Sequence, residues 1–321
     1  MIFYMDFKNK VIALVGPTGV GKTETSLYLA ELTKSEIISC DSMQIYRGMD
    51  IGTAKATKME MEKVPHHLID IKNPDEAYSV CEYVKDAKKC LEDIFSRGKN
   101  ALVVGGTGLY VDSFIKDTSY TETSGNEEIR NELSLYAKIN GNENLHRLLE
   151  EIDPESAKAI HPNNVKRVIR AIEYFKISGE KISHHNKKSA LIPSPYDYVY
   201  IGLTRNRDEL YERIDKRVDI MMEAGLLDEV YSLWKNGCTR KMTSMQALGY
   251  KELIHYIEGR CTLSEAIRIL KRDSRHYAKR QLTWFGRNKN INWINLSEIK
   301  SGKDAAFLAL DLIKNSKKEE Q

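Results

Sequence analysis

Eight consecutive residues near the N-terminus, GPTGVGKT at 16–23, have the types and spacing to hold a phosphate chain. Gly16, Gly19 and Gly21 let the backbone curl until successive N–H groups face inward, and a following helix adds the positive end of its dipole. Lys22 brings a point charge for phosphate oxygens, and Thr23 brings a hydroxyl for a magnesium ion, Mg2+. Pro17, Thr18 and Val20 complete the loop. The pattern G-x-x-x-x-G-K-[ST] has meaning only with a strand before it and a helix after it. Both are present: 11–15 is an apolar run, and 23–32 carries apolar residues at helical spacing. The chain is therefore expected to bind a di- or triphosphate. The loop alone does not say whether that ligand is a nucleotide.

A phosphate loop that works on ATP is accompanied by a second carboxylate, at the end of a neighbouring apolar strand, for magnesium. The run 101–104 ends in Gly105–Gly106–Thr107–Gly108 and offers no acid; the run 37–40 ends in Asp41. One carboxylate is thus available, and it can serve as a base instead of a metal partner. Ligands of doubly wound sheets sit at the carboxyl ends of the strands, so Asp41, Thr107 and the loop should converge. Asp41 could instead cap a turn, and Thr107 could bond its own backbone. Arg213 and Arg217 lie one helical turn apart beside an apolar stripe of Ile214, Val218, Met221 and Leu226. An arginine there can clamp a departing pyrophosphate, or pair with Glu209, Glu212 or Asp219. His66 and His67 are adjacent in sequence and share no face, which favours polar packing in a loop over a metal site.

The elements that must position these groups follow from the rest of the chain. With 321 residues, 41% hydrophobic and 30% charged, it suits one large domain or two smaller ones with a polar surface. The five cysteines show no C-x-x-C spacing and read as reduced thiols. No signal peptide or membrane span is read, so a cytoplasmic location is expected. Strands are predicted at 11–15, 37–40 and 101–104, with helices at 23–32 and 79–97 between them. The fold class is α/β, a P-loop doubly wound parallel sheet with a helical insertion domain. The insertion spans 117–196, polar and helix-forming, with an amphipathic helix at 165–177 and flexible joints near 117–126 and 184–195. It is expected to be mobile when free and to close over a bound partner. The core is discontinuous, 1–116 and 197–321: a strand at 198–203, helices at 207–224, 226–235 and 263–285, a strand-like piece at 291–296 and a helix at 304–313. The tail SKKEEQ at 316–321 is expected to fray.

A net charge of +3 argues for no partner by itself, but its distribution is uneven. Arg268, Arg272, Arg275 and Lys279 recur at offsets that stack them on one face of the long helix. Such a run is either a solvated face or a surface for a phosphate backbone. Trp284 and Phe285 end the helix, in the core or, if exposed, against a base. No long apolar stripe is left exposed, so a monomer is expected.

Taken together, GPTGVGKT at 16–23, DSMQIYRGMDIGTAK at 41–55, HHLID at 66–70, GGTGLY at 105–110, HPNNVKRVIRAIE at 161–173, RVDIMMEAGLLDEV at 217–230, ALGYKE at 247–252 and YAKRQLTWF at 277–285 resemble the motif set of the tRNA dimethylallyltransferases, also called isopentenyl-tRNA transferases. The resemblance runs in order over nearly the whole chain. Gly19 stands where the family often has Ala, and no zinc-finger extension of the eukaryotic kind is read, which points to a bacterial or organellar type. The resemblance implies transfer of a dimethylallyl group from dimethylallyl diphosphate to the exocyclic amine of the adenosine 3′-adjacent to the tRNA anticodon. The loop would then hold pyrophosphate, and the missing second acid makes sense, because no phosphoryl group moves. It also implies roles: Asp41 as base, Thr107 beside the reacting centre, Arg217 on the leaving group. For tRNA it implies contacts from Asp41, Ser42, Met43, Gln44, Thr107, Arg130, Arg167, Gln246, Lys251, Lys279, Arg280 and Gln281. Rival readings are an isopentenyltransferase acting on free adenine nucleotide, a P-loop nucleotide kinase, and a non-catalytic nucleic-acid-binding module.

Overall fold

The computed structural model describes residues 9–118 and 126–316. Most of the expected joint at 117–126 and of the tail at 316–321 therefore lies outside the described residues. The chain forms two units. The first runs to Ile115 and resumes at Tyr196; the second lies between Lys116 and Pro195.

In chain order the first unit begins with β1 (Lys10–Val15), α1 (Lys22–Thr33), β2 (Ser35–Cys40), α2 (Lys58–Lys63), β3 (His66–His67), α3 (Val80–Ser96), β4 (Asn100–Gly105) and α4 (Gly108–Ile115). The second unit is helical: α5 (Glu127–Asn140), α6 (Asn142–Ile152), α7 (Pro154–Ala159), α8 (Val165–Ser178) and α9 (Ile182–Leu191). The first unit then resumes with β5 (Asp197–Thr204), α10 (Arg207–Glu223), α11 (Leu226–Lys235), α12 (Tyr250–Ile257), α13 (Leu263–Phe285), β6 (Ile291–Asn295) and α14 (Gly302–Asn315).

All six strands are parallel, in the order β3-β2-β4-β1-β5-β6. Every residue of β1 is buried, as a strand covered on both faces requires, and its Val and Ile suit that place. The core joins Ile12 and Leu14 of β1 to Leu29, Leu102, Ile201 and Ala309. Helix ends follow local chemistry. Ser79 and Glu82 make a reciprocal capping box at the start of α3, Thr262 and Glu265 another at α13, and Gly98 ends the first in a left-handed conformation (φ 69°).

Four elements were not expected from the sequence: α2, opened by a capping box of Thr57 and Glu60; α9, a helix across much of the joint expected to be flexible at 184–195; α12; and β3. Helix α12 lies where no regular element is read; its start is fixed by Glu252, whose Oε2 accepts from Gly249 N at 2.8 Å. The brief β3 pairs with β2 at Ile37 and Ile38. In the second unit, Leu133, Leu145, Leu149, Val168 and Ile172 form a separate small core. Asp153 ties its helices, accepting from Ser156 Oγ at 2.7 Å and from Ser183 N and Oγ at 3.0 and 2.8 Å.

Candidate active site

The loop between β1 and α1 is curled by glycines in the left-handed region, among them Gly19 (φ 77°) and Gly21 (φ 118°). Its carbonyls are drawn outward by cations. Lys22 Nζ donates to Gly16 O and Pro17 O at 2.9 Å each, Arg213 Nε to Gly19 O at 3.1 Å, and Arg205 Nε to Val20 O at 2.8 Å. Within the loop, Thr18 N donates to Gln281 Oε1 at 2.9 Å and Val20 N to Pro17 O at 3.4 Å; the glycine-curled backbone and the positive end of α1 supply the setting for an anion. Thr23 is exposed on the first turn of α1. Burial lowers the Lys22 ammonium to about 8; Arg217 pushes the same way, and Asp41 opposes both.

Asp41 and Thr107 meet because β2 and β4 are neighbours in register, Cys40 opposite Gly105. Thr107 N donates to Cys40 O at 3.3 Å, and Thr107 Oγ1 accepts from Ser42 N at 3.2 Å. Asp41 Oδ1 accepts from Met43 N at 2.9 Å, so this carboxylate caps a turn and still borders the groove. Arg217, on the face of α10 beside Ile214 and Val218, reaches the same place. Burial lowers its guanidinium from the ordinary value, and Asp41 counters that shift. Two of the three acids weighed as alternative partners are engaged elsewhere: Glu209 with Arg205, and Asp219 with Lys271 at 2.6 Å.

Tyr277 of α13 also enters the site; read from the sequence, it had no role of its own beyond its place in the motif at 277–285. Burial, followed by the charge of Asp41, pushes its phenol up to about 12. The usable signal was its helical offset from the basic residues of the same motif. Cys40, beside Asp41, is buried and its thiol is pushed up accordingly, which keeps it un-ionised and poorly nucleophilic.

Two cavities meet at these residues. The larger, about 700 Å³, is the groove of the phosphate loop, with Lys22, Thr23, Arg213 and Lys216 on its walls. The smaller, about 270 Å³, has apolar walls including Val218, Met221, Leu226 and Leu270, while Gln246, Lys251 and Arg280 also line it. Thr18, Asp41, Thr53, Arg217 and Tyr277 border both. A phosphate-bearing group and a second molecule arriving from the other side would touch at Asp41.

Other expected contacts are placed differently. Gln281 is buried, donating from Nε2 to Gly106 O and accepting from Thr18 N, both at 2.9 Å. It braces the phosphate loop against the turn after β4, and its burial leaves little of it for the RNA contact expected from the sequence. The glycines of that turn admit α13: a Cβ on Gly106 would lie 2.1 Å from Gln281, and one on Gly108 would lie 2.2 Å from Trp284. Gln44 is likewise spent internally, accepting from Ser39 Oγ at 2.9 Å and donating to Thr53 O and Ala54 O at 3.3 and 3.2 Å. Ser42 and Met43 border the smaller cavity. Gln246, Lys279 and Arg280 are exposed and Lys251 half-buried, all open to a large partner.

In the second unit Arg167 is exposed, whereas Arg130 pairs with the fully buried Glu173 at 2.8 Å. Arg130 thus neutralises a buried charge within its own unit. The basic face of α13 is partly neutralised as well: Arg275 pairs with Asp215 at 2.5 Å, leaving Arg268, Arg272 and Lys279 exposed. Phe285 is core, and Trp284 Nε1 donates to Asp112 at 2.7 Å. His66 bonds Val64 O and His67 bonds Glu36, both at 2.7 Å, as polar packing.

The IPP transferase family model matches residues 44–289. A tRNA dimethylallyltransferase of Alkaliphilus oremlandii is 50% identical over 299 residues, 93% of this chain and 95% of that protein. One from Lachnoclostridium phytofermentans is 49% identical over 298 residues, with the same coverage. Among solved structures, the full-length tRNA isopentenylpyrophosphate transferase of Bacillus halodurans superposes with a TM-score of 0.72 at 47% identity, covering 98% of this chain and 100% of that chain. A eukaryotic dimethylallyltransferase captured acting on tRNA superposes with a TM-score of 0.82 at 28% identity, covering 96% of this chain and 80% of that one. On matches of this identity and coverage, the chain belongs to the IPP transferase family, the tRNA dimethylallyltransferases.

Proposed function

We propose that the chain moves the dimethylallyl group of dimethylallyl diphosphate onto the exocyclic amine of the adenosine 3′-adjacent to the anticodon of a tRNA. The observation that carries this reading is the junction of the two cavities at Asp41 and Arg217. The diphosphate lies along the loop amides of 16–23 and Lys22. Its allylic carbon points towards Asp41. The target adenosine, turned out of the anticodon loop, enters through the smaller cavity, past Gln246, Lys251 and Arg280.

The amine nitrogen attacks the first allylic carbon, forming the N–C bond as the C–O bond to diphosphate breaks. The electron pair of that C–O bond leaves with the diphosphate, and the amine proton passes to Asp41. Lys22, Arg217 and the loop amides meet the growing negative charge. Magnesium takes one or two protein oxygens together with substrate phosphates, and the exposed Thr23 hydroxyl suits that role. When bound, the ion neutralises part of the diphosphate charge. Thr107, which accepts from Ser42 N, and Tyr277, which borders both cavities, form the polar wall beside the reacting amine. We place the protein in the cytoplasm, acting as a monomer.

The test supplies labelled dimethylallyl diphosphate and magnesium to the full chain, with unmodified tRNA in one tube and AMP in another. Label in tRNA alone is expected. Label in AMP alone would make the acceptor a free nucleotide, and ATP consumption with no label in either would make the loop a nucleotide site.

A further inference from the structure

The stretch that carries Asp41 returns to the cavity junction at Thr53 without forming a helix or an extended strand. Ala54, directly after it, sits in the left-handed region (φ 46°), which a non-glycine residue holds only when its surroundings fix it.

Glu229 of α11 supplies such a restraint. Its Oε2 accepts from Asp50 N at 3.0 Å and Ile51 N at 2.8 Å; its Oε1 accepts from Gly52 N at 3.2 Å and from the Tyr250 hydroxyl at 2.6 Å. Three successive backbone N–H groups thus converge on one carboxylate, as in an anion-binding nest. Tyr250 is fully buried, and a Cβ on Gly52 would lie 2.5 Å from its ring, so the backbone lies directly on that ring. Beyond the nest, Gln44 ties Thr53 O and Ala54 O to Ser39, two residues before Asp41. A continuous hydrogen-bonded path therefore runs from Glu229 to the strand end that presents the base.

We infer that Glu229 is a positioning residue for the transfer: seated in the nest at 50–52, it holds Gly52 and Thr53 as the cavity wall that sets the reach of the target amine to Asp41. It acts through the backbone and borders neither cavity. The inference rests on the reading of Asp41 as base given above. A carboxamide in place of the carboxylate turns an N–H₂ towards at least one backbone N–H, which can only donate, so the wall shifts. A displacement of about 1 Å in a reacting geometry can cost as much as ~10²-fold in rate.

The experiment uses the full chain with dimethylallyl diphosphate and an anticodon stem-loop acceptor. Glu229→Gln is expected to lower kcat by about 10-fold or more while pyrophosphate affinity stays within about twofold, since the phosphate loop is braced separately. Hydrogen exchange at the amides of 50–52 should quicken. Tyr250→Phe removes one donor of the four and should give a smaller loss in the same direction. Unchanged kcat in both variants would overturn the inference. So would parallel losses of kcat, pyrophosphate affinity and thermal midpoint, which mark a general defect of folding. If the base assignment itself is wrong, Asp41→Asn retains turnover; if only the inference is wrong, that variant is inactive and the Glu229 variants are not.

Discussion

Lys22 holds its positive charge against burial, with Arg217 adding to the penalty. The charged form is present below about 8 and is lost as pH rises through that value. Bound diphosphate favours the charged form, so pyrophosphate affinity is expected to weaken as pH rises through about 8. Lys22→Arg, which stays charged throughout, should flatten the profile; isothermal titration at several pH values decides, and a flat profile in the parent would contradict it. In the proposed mechanism Arg217 meets the leaving group, so Arg217→Gln should cost about 10²–10³ in kcat with tRNA affinity retained. A collapse of tRNA affinity instead would make it an RNA contact. Asp41 and Thr107 were legible in the sequence because each follows an apolar run, and strand ends of a parallel sheet converge. Gln44 and Gln281 were expected as RNA contacts; the structure shows each bonded internally while still lining the phosphate groove. A step of one residue on a helix turns about 100°, so Gln281 faces inward while Lys279 and Arg280 face water.

Helix α13 works on three sides at once. Gln281 braces the phosphate loop, Tyr277 enters the junction, and Arg268, Arg272 and Lys279 face solvent. Its attachment to α10 runs through Arg275–Asp215 and Lys271–Asp219. Replacing Gln281 with Leu keeps the volume and leaves Thr18 N–H and Gly106 C=O without their partner. A buried group so orphaned costs about 1–3 kcal/mol. Gln281→Leu should therefore lower the thermal midpoint and pyrophosphate affinity while tRNA affinity holds; a selective loss of tRNA affinity would restore the surface reading. Helix α13 was visible in the sequence through its period and capping box. Helix α12 was not, because its eight residues are short and its start is fixed by Glu252 reaching back to Gly249 after a 3₁₀ turn.

For the whole molecule, affinity for tRNA should fall linearly in log–log terms with salt, as counterions return to the phosphate backbone. Arg268→Ala and Lys279→Ala should each reduce that slope by about 1 if these exposed residues meet phosphates. An unchanged slope would leave the face merely solvated. Protection of 184–195 from protease on adding tRNA would support the insertion as part of the RNA site. The doubly wound sheet was readable from strand, helix and loop order, because parallel connections leave few topologies. The pairing of Arg130 with the buried Glu173 was not, since it joins helices 43 residues apart and no local pattern announces it.

In the proposed mechanism Asp41 takes the proton from the incoming amine where the two cavities meet. Asp41→Asn is the cleanest substitution, because the remaining side-chain oxygen can still accept from Met43 N and keep the turn. Single-turnover transfer to tRNA is the measurement, with tRNA and pyrophosphate affinities determined on the same variant. A fall in rate of about 10²-fold or more with both affinities retained is the predicted result. A rate near the parent's, or a loss of rate explained wholly by lost tRNA affinity, would contradict it.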